Sequence, residues 1–311
     1  MKSKIRILAI SSSGKTGGGP SHIFLLKELL DGEFDFYLAM PNLFIKGYDL
    51  NLKKIIEISE RKISLKDLYN LIFFARKNSI DIIHSHGKGA SLIGRFISIF
   101  LKKPLIHTFH GIHVDCLNSF NKFIYIFYEN LTGWLDSEKI FVSVSEFNQA
   151  RKLKINLGGS YSIVNNAVKI MAIKNKSYVN QNFKIGIENH KKNIISICRL
   201  VDQKNIFEIF KIAKNLPIYN FVILGDGYLF ERSIQYINQN NINNVFLLGN
   251  KKNIFKYLYN ADLFLSTSLY EGHPISILEA MSIGLPVVAS KVTGNCDTIT
   301  HNHSGYFYDF T

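Results

Sequence analysis

The sequence predicts an α/β protein with two doubly wound parallel sheets, one in each of two domains. Apolar, β-rich runs alternate with amphipathic helical segments throughout the 311 residues, which is typical of such sheets. This length accommodates two domains of ordinary size. Between the halves, the Asn- and Lys-rich stretch from Lys169 to Lys192 has no clear periodicity. We therefore predict an N-terminal domain of residues 1–170 and a C-terminal domain of residues 171–311.

In the first half, apolar runs predict strands and amphipathic segments predict helices. The predicted strands are Ile5–Ile10, Phe34–Ala39, Asp81–His84, Leu105–Thr108 and Ile140–Val144, and the predicted helices are Pro20–Leu30, Leu65–Asn78 and Gly89–Phe100. A loop of three glycines, Gly17, Gly18 and Gly19, joins the first strand to the first helix. Glycine permits close backbone approach, so this loop could hold a phosphate, although it matches neither GxGxxG nor GxxxxGK[ST].

The second half continues the alternation. Its predicted strands are Ile194–Cys198, Phe221–Leu224, Val245–Leu248, Leu263–Ser266 and Val287–Ala289. The turn Gly225-Asp226-Gly227 follows the strand FVIL directly, and Gly249-Asn250 follows VFLL. Both turns therefore lie at the carboxyl ends of strands, where open α/β sheets bind ligands.

The composition limits the class of protein. Apolar residues make up 47% of the chain, enough for a large core, and the mean hydropathy is +0.06. No run reaches the roughly 18 uncharged apolar residues expected of a membrane span. The apolar start, Ile5 to Ile10, is interrupted by Arg6 and is too short for a signal peptide. Three cysteines without CxxC spacing (Cys116, Cys198 and Cys296) argue against a disulfide framework and against zinc, and predict buried thiols in a reducing cytoplasm.

The formal net charge of +13 is concentrated in the N-terminal half. Residues 1–170 hold 23 Lys and Arg against 14 Asp and Glu, whereas the remaining 141 residues hold 14 against 10. Aromatic residues interleave with the basic ones at residues 62–78, 94–104 and 120–135. Such faces suit an anionic membrane surface. No nucleic-acid motif is present, so we expect no nucleic-acid partner. A plain alternative stays open: the aromatic residues form the core faces of amphipathic helices, and the lysines beside them are solvated.

An acidic helical segment is the most informative feature of the second half. Glu271 and Glu279 have seven residues between them, and they lie between the apolar runs ADLFLSTS and PVVAS. Pro274 suits a first helical position, and Gly284 followed by Pro286 ends the helix. Strand, acidic loop, helix and strand together form one βαβ unit, so the helix begins on the ligand-binding side of the sheet.

The spacing of these acids fits an extended ligand. Eight helical positions span roughly 12 Å, similar to the reach from a sugar ring across a diphosphate to a ribose. Carboxylates accept hydrogen bonds from sugar hydroxyls. The backbone around Pro274, Ile275 and Ser276 would face the phosphates at the positive end of the helix. A capped surface helix with two solvated acids is the alternative that the spacing alone leaves open.

The block EGHPISILEAMSIGLPVVAS resembles the E-x7-E signature of the retaining nucleotide-sugar glycosyltransferases of family four. Other segments follow in the family's order: SSSGKTGGGPSHIFLLKEL, DIIHSHGKGASLIGR, HTFHG, VSVSEFNQARKL, IVNNAV, ICRLVDQKN, LGDG and VFLLGNKKNIFKYLYNADLFLSTSLYEG. The resemblance covers nearly the whole chain. It implies the GT-B fold, in which two Rossmann-like domains face a cleft.

The resemblance also implies a donor site. Arg199 and Lys204 match the pair that clamps the donor diphosphate, where they would neutralise charge on the leaving phosphate. Glu271 would hold the hydroxyls of the transferred sugar, and Glu279 the ribose. An ordinary basic helix start is the alternative for Arg199 and Lys204, although positive charge is mildly unfavourable there.

Further residues are assigned by the same resemblance. His110 matches a histidine that contacts the transferring sugar, and Gly18 and Gly19 lie near the donor phosphates and the acceptor. Gly225 and Asn250 would border the nucleotide through their backbone. A lone histidine is more often packed or solvated. The strand-end position nevertheless favours His110 over His84, His86, His107 and His113.

We expect metal-independent chemistry without a cofactor. No two aspartates stand two apart, so the DxD motif of the other major glycosyltransferase fold is missing, and no His or Cys cluster has ligand spacing. The nucleotide sugar is then a substrate. Arg199, Lys204 and helix N–H groups would provide the electrostatic stabilisation.

The resemblance implies a retaining transferase that moves a sugar, with UDP as the expected nucleotide, to a hydroxyl of a lipid-linked or growing surface glycan. The expected setting is bacterial polysaccharide synthesis, in the cytoplasm or on the inner face of the cell membrane. The chain ends soon after Gly305, whereas relatives continue to a final helix, so we expect a shortened C-terminal domain. The alternatives are a same-fold UDP-sugar epimerase and a non-catalytic or truncated partner protein.

Overall fold

A computed structural model describes residues 4–13, 18–41, 54–60, 62, 64–112, 114, 118–170 and 191–310. The chain divides into two compact units, Met1–Asn166 and Ala167–Thr311. Most of the polar stretch predicted as the domain boundary (residues 171–190) lies outside the described residues, as do Gly17, His113 and Cys116. In the part of the chain that the structure describes, no helix has the length and apolar character needed to cross a membrane.

The first unit contains a seven-stranded sheet with the order β3-β2-β1-β4-β5-β6-β7. All its neighbouring strands are parallel. The strands are β1 (Ile5–Ser11), β2 (Phe34–Met40), β3 (Ile55–Glu57), β4 (Ile82–His86), β5 (Leu105–Phe109), β6 (Glu138–Phe141) and β7 (Ser160–Ile163). The strand order reverses between β1 and β4, so their carboxyl ends, where Ser11 pairs with His86, form the expected ligand-binding position of the sheet.

Five helices are described in this unit. They are α1 (Gly18–Leu30), α2 (Leu65–Lys77), α3 (Lys88–Leu101), α4 (Ser119–Thr132) and α5 (Val144–Lys152). Apolar residues of α2 and α3 pack on the sheet, where Leu71, Ile93 and Ile97 are buried with Leu8 and Ile83. Sheet and helices therefore share one core, as the alternating pattern predicts.

A buried charge network joins α3 to the chain between α4 and β6. The Arg95 guanidinium donates to both carboxylate oxygens of Asp136, at 2.9 and 2.6 Å, and to Glu129 at 2.8 Å. It also donates to the Thr132 hydroxyl at 2.8 Å. Because removing one partner would leave another charge buried and unpaired, this network fixes α4 against α3.

The second unit contains a six-stranded parallel sheet with the order β10-β9-β8-β11-β12-β13. The strands are β8 (Asn193–Ile197), β9 (Asn220–Leu224), β10 (Val245–Leu247), β11 (Leu263–Ser266), β12 (Val287–Ser290) and β13 (Tyr306–Tyr308). The described helices are α6 (Ile206–Asn215), α7 (Phe230–Gln239), α8 (Phe255–Leu258), α9 (Ile275–Ser282) and α10 (Asn295–Thr298). Here the strand order reverses between β8 and β11.

Several predicted elements need correction. The strand predicted to reach Val144 ends at Phe141, because the Ser143 hydroxyl accepts a hydrogen bond from the Glu146 N–H at 3.2 Å and begins α5. Gly18 and Gly19 belong to the first turn of α1 and not to a loop. The elements that were not predicted are helices α4, α5, α6, α7, α8 and α10 and the short edge or end strands β3, β7 and β13.

One alternative and one prediction about burial do not hold. The aromatic face of α4 is not a core face, because Phe120, Phe123 and Phe127 are exposed and Glu129 is the one buried residue of that helix. Cys296 is exposed, and Cys198 is partly buried, so the prediction of buried thiols fails for Cys296. In α4 the composition is apolar, but composition does not determine which side of a helix faces the sheet.

Candidate functional site

In the second unit, the loops after β8 and β11 place a cation against a carboxylate. Lys204 ends a short 3-10 helix, Asp202–Lys204, and its ammonium donates to Oε1 of Glu271. The same oxygen accepts a hydrogen bond from the Ser268 hydroxyl at 2.6 Å. The Lys204 side chain is 14% exposed and that of Glu271 is 9% exposed, so the pair is largely withdrawn from solvent.

Hydrogen bonds hold these two loops together. The Thr267 hydroxyl donates to the Lys204 carbonyl at 2.9 Å. The Leu269 N–H donates to the Gln203 carbonyl at 2.9 Å, and the Gln203 amide donates to the Tyr270 carbonyl at 3.0 Å. Hydrogen bonds between the loops after β8 and β11 therefore fix the positions of the two residues that form the ion pair.

Gly225 lies against the loop that contains Arg199. Its φ is +138°, and a Cβ there would lie 1.8 Å from the Cys198 carbonyl oxygen. Only glycine fits this position. The Leu200 N–H donates to the Asp226 carbonyl at 3.0 Å, so the partly buried Arg199 is held between two anchored neighbours. The Gly225 N–H donates to the Gly249 carbonyl at 3.0 Å, which brings the turn before the exposed Asn250 to the same edge.

Helix α9 begins beside the ion pair. Pro274 is its N-cap, with φ −75° and ψ 108°, and no side chain caps the helix. Ser276 lines one small cavity together with Lys204 and Glu271. Glu279 lies further along α9 and is partly buried, and this burial raises the pKa of its carboxyl to about 7.

In the first unit, His110 follows β5 and lies in a cluster of histidines. Its Nε2 lies 3.1 Å from Nδ1 of His86, the last residue of β4. The His22 ring of α1 is 5.0 Å from the His110 ring and 5.8 Å from the His86 ring, centroid to centroid. A Cβ on Gly19 would lie 3.9 Å from the His110 ring, so Gly19 is also adjacent, whereas Gly18 is exposed.

Burial keeps these imidazoles neutral. It lowers the pKa of His22 to about 4. Burial, and then repulsion from neighbouring histidines, holds the pKa values of His86 and His110 well below their ordinary value. A neutral imidazole offers one donor and one acceptor nitrogen, which suits hydrogen bonds to sugar hydroxyls.

This clustering is not visible in the sequence. One ring nitrogen from each of His22, His86 and His110 lies within 4.8 Å of the others, so the three could also hold a metal ion. The lack of ligand spacing along the sequence therefore did not reveal this spatial cluster. The reason is that α1, β4 and the loop after β5 contribute one residue each, and spacing along the chain cannot reveal such a set. Only the sheet order, which places β1 beside β4 and β4 beside β5, brings them together.

Glu146 is a second residue that the sequence analysis did not assign. Its Oε1 accepts a hydrogen bond from the Gly111 N–H, and its Oε2 accepts one from Val142 N–H at 3.2 Å. It therefore anchors the loop that begins at His110. The signal was present in the sequence, because Ser143 followed three residues later by Glu146 is a capping-box pattern.

Two family models match the chain, one in each half. Residues 31–167 match the model described as Glycosyltransferase Family 4, and residues 179–311 match the model described as Glycosyl transferases group 1. The chain belongs to the glycosyltransferases. The predicted family is confirmed, and the match in two consecutive halves agrees with the two units of the fold.

Bacterial polysaccharide enzymes are among the relatives of this glycosyltransferase. It is 27% identical over 259 residues to the UDP-Gal:alpha-D-GlcNAc-diphosphoundecaprenol alpha-1,3-galactosyltransferase of Escherichia coli, a match covering 79% of this chain and 66% of that one. It is 26% identical to the N,N'-diacetylbacillosaminyl-diphospho-undecaprenol alpha-1,3-N-acetylgalactosaminyltransferase of Campylobacter jejuni, with coverage of 90% and 79%. The chain thus spans slightly less than two thirds of the Escherichia coli enzyme.

Solved structures confirm the fold. HepE from Anabaena, in complex with UDP-glucose, superposes with a TM-score of 0.79 at 20% identity and covers 98% of this chain and 85% of that one. Sucrose-phosphate synthase from Thermosynechococcus elongatus gives a TM-score of 0.78 at 14% identity, with coverage of 98% and 86%. The predicted GT-B class, with two Rossmann-like parallel sheets, is therefore correct.

Proposed function

We propose that this glycosyltransferase moves a hexosyl or N-acetylhexosaminyl group from a UDP-sugar to a hydroxyl of a lipid-linked glycan, with retention at the anomeric carbon. The observation that supports this most directly is the Lys204–Glu271 pair at the reversal point of the second sheet. A cation beside a carboxylate at that edge matches a ligand that has both a diphosphate and hydroxyl groups.

When the proposed donor binds, its groups would replace the contact between Lys204 and Glu271. Its diphosphate would attract Lys204, together with Arg199, and so balance the negative charge that grows as the sugar leaves. Glu271, held by Ser268, would then accept hydrogen bonds from sugar hydroxyls. The uncapped start of α9 would direct its N–H groups to the phosphates, and Glu279 would bind the ribose. These groups need no cofactor, and we propose that the reaction is metal-independent.

The acceptor is proposed from the relatives. The names of the Escherichia coli and Campylobacter jejuni enzymes both specify a diphospho-undecaprenol acceptor. The exposed aromatic face of α4 would suit such a substrate, because large apolar side chains in water mark membrane or partner surfaces. We therefore propose that the protein works at the cytoplasmic face of the membrane.

An assay of UDP release tests the activity. The purified chain would be incubated with UDP-galactose or UDP-N-acetylglucosamine and a prenyl-diphosphate-linked N-acetylhexosamine. We expect UDP release that depends on the acceptor, and its loss in Glu271→Gln. Glu231→Gln, an exposed acid on α7, is the matched control and should keep full activity. The anomeric configuration of the product, read by NMR, tests retention.

Each contrary result has a definite meaning. Interconversion of the UDP-sugar without UDP release would identify an epimerase. Binding of the UDP-sugar with no turnover of any kind would identify a non-catalytic protein. An inverted product would contradict retention while leaving the transferase activity intact.

A further inference from the structure

Three histidine rings from three segments of the first unit point toward one another. His22 lies on α1, His86 ends β4, and His110 directly follows β5. One ring nitrogen of each lies within 4.8 Å of the others, and Nδ1 of His86 is 3.1 Å from Nε2 of His110. Nitrogens that bind one tetrahedral Zn²⁺ at about 2.0–2.1 Å are about 3.3 Å apart. Small rotations of the rings would therefore bring three ligand atoms to one ion.

Hydrogen bonds do not use the full capacity of these rings. A neutral imidazole has one donor and one acceptor nitrogen, so the contact between His86 and His110 uses only one of their two lone pairs. Among the described residues, Nε2 of His86 is a buried ring nitrogen without a hydrogen-bond partner. A buried polar atom in this state is unfavourable. A metal ion would use one lone pair from each ring, which the contact between two rings cannot do.

Neighbouring residues hold the rings in place. The His84 ring lies against that of His86, with centroids 4.0 Å apart, and its own Nε2 is 2.8 Å from the Thr108 hydroxyl. The residue after His110 donates its N–H to the Glu146 carboxylate. Groups that are already ordered lose little conformational freedom when they bind a ligand. The cluster is therefore prepared for an ion before the ion arrives.

The ligand set selects the class of ion. Imidazole nitrogen suits zinc, copper and nickel, whereas Mg²⁺ and Ca²⁺ are bound by oxygen ligands. Three histidines with an open fourth position form a known type of zinc site. His22 and His86 are buried, and His110 is the partly exposed member of the set, so an ion would enter from its side.

We propose that His22, His86 and His110 form a binding site for Zn²⁺ or a similar transition-metal ion, and that the bound ion inhibits sugar transfer. The site itself does not depend on the proposed function. The inhibition rests on that function, and on the contact between His110 and the transferred sugar that the family resemblance implies. An ion that occupies the lone pair of this ring prevents it from accepting a hydrogen bond from a sugar hydroxyl. The ion is therefore an inhibitor, and catalysis does not require it.

Binding of Co²⁺, a spectroscopic substitute for Zn²⁺, tests the site in the full chain without a histidine tag. We expect visible d–d absorption that saturates at one equivalent, and its loss on addition of Zn²⁺ but not of excess Mg²⁺. His22→Gln and His86→Gln should each weaken Co²⁺ binding by roughly tenfold or more. They lie on different elements, so one still tests the site if the other folds poorly. His303→Gln, at an exposed histidine of the second unit, is the matched control and should bind normally.

Two results of the Co²⁺ titration would overturn the site. One is equal affinity in the unmodified chain and all three variants. The other is the near-ultraviolet charge-transfer band of a cobalt–thiolate bond, which would assign the ion to a cysteine such as the exposed Cys296.

Rates of UDP release with and without Zn²⁺ test the inhibition. We expect release to slow at least tenfold at saturating Zn²⁺ and to recover with EDTA. His22→Gln should be inhibited much less, relative to its own rate without Zn²⁺. Equal inhibition of both proteins would mean that Zn²⁺ acts elsewhere, for example on the UDP-sugar, and would overturn the inhibition.

The two measurements separate this site from the transferase activity. If Co²⁺ binds as expected and no sugar is transferred with or without metal, the site stands and the proposed function fails. If sugar is transferred and Co²⁺ does not bind, the site is refuted and the function stands. If Co²⁺ binds and Zn²⁺ leaves the rate unchanged or raises it, the inhibition is refuted.

Discussion

Lys204 and Glu271 form an ion pair that stabilises the empty protein and, in the proposed function, binds the donor. Without a donor they satisfy each other, and Ser268 supplies a third partner. Largely buried charges are costly unless they are paired, so this arrangement keeps a cation ready for a diphosphate at little cost to the empty protein. The same logic applies to His110, whose neutral ring is paired with His86.

Lys204→Met should therefore affect both stability and donor binding. We expect the free energy of unfolding to fall by about 1–3 kcal/mol, because Glu271 loses a buried charged partner and keeps only Ser268. Urea denaturation measures this change, with Lys251→Met, an exposed lysine, as the control. The thermal stabilisation by UDP should also disappear. A variant that UDP still stabilises as strongly as the unmodified chain would contradict the role of Lys204.

Glu279 should make donor affinity depend on pH. Burial raises its pKa to about 7, so the carboxylate form increases as the pH rises through that value. Because ionised groups accept stronger hydrogen bonds, affinity for UDP-glucose should rise by up to about tenfold (~1.4 kcal/mol) from about pH 6 to 8. In Glu279→Gln the profile should be flat. The same slope in both proteins would exclude contact between Glu279 and the donor.

At the scale of elements, α4 has one face in a buried ion network and one apolar face in solvent, and its sequence alone does not tell which residues lie on which face. One face holds Glu129 in the network with Arg95 and Asp136, and the opposite face exposes Phe123 and Phe127. The buried ion network holds α4 in place. The helix therefore does not need to bury its apolar face in the core, and that face can stay exposed. This division explains why hydrophobic pattern, read as core, gave the wrong burial for α4.

The exposed face of α4 should bind anionic membranes. Phe123→Asp combined with Phe127→Asp should abolish sedimentation with phosphatidylglycerol vesicles, because two charges would oppose insertion and add repulsion. Stability should change by no more than about 0.5 kcal/mol per site, as for other exposed positions. Ile218→Asp, on an exposed residue of the second unit, is the control and should sediment normally. Unchanged sedimentation of the double variant would assign the face to something other than a membrane.

At the scale of the whole molecule, the two sheets repeat one plan. In each, the strand order reverses once, between β1 and β4 and between β8 and β11, and the candidate residues gather at the carboxyl ends of those strands. In the second unit these residues are charged, whereas in the first they are neutral histidines. The chemistry proposed for each unit follows from this difference.

Removal of metal tests the remaining part of the proposal. Dialysis against EDTA should leave the rate of sugar transfer unchanged, because Arg199, Lys204 and the α9 N-terminus would supply the positive charge. If activity is instead lost and Zn²⁺ restores it, the ion held by the cluster of His22, His86 and His110 takes part in catalysis. His22→Ala, which removes one of the three ligands, would then abolish the restoration.

The sequence by itself determined the alternation of strands and helices, the family, and the local turns and helix starts around Gly225, Lys204 and Pro274. These features depend on neighbours in the chain, such as the start of α9 at Ile275 and the turn after β9, so a linear pattern reveals them. Among the helices that were not predicted, α5 is short and α4 has its apolar face in solvent.

Only the tertiary structure decided which distant residues meet. The Lys204–Glu271 pair joins positions 67 residues apart, and the His86–His110 contact joins positions 24 apart. The strand order determines both contacts. It depends on the packing of the whole core, which cannot be deduced from any short segment of the sequence. The burial that raises the Glu279 pKa and lowers those of the histidines has the same origin, since it depends on every element packed around these groups.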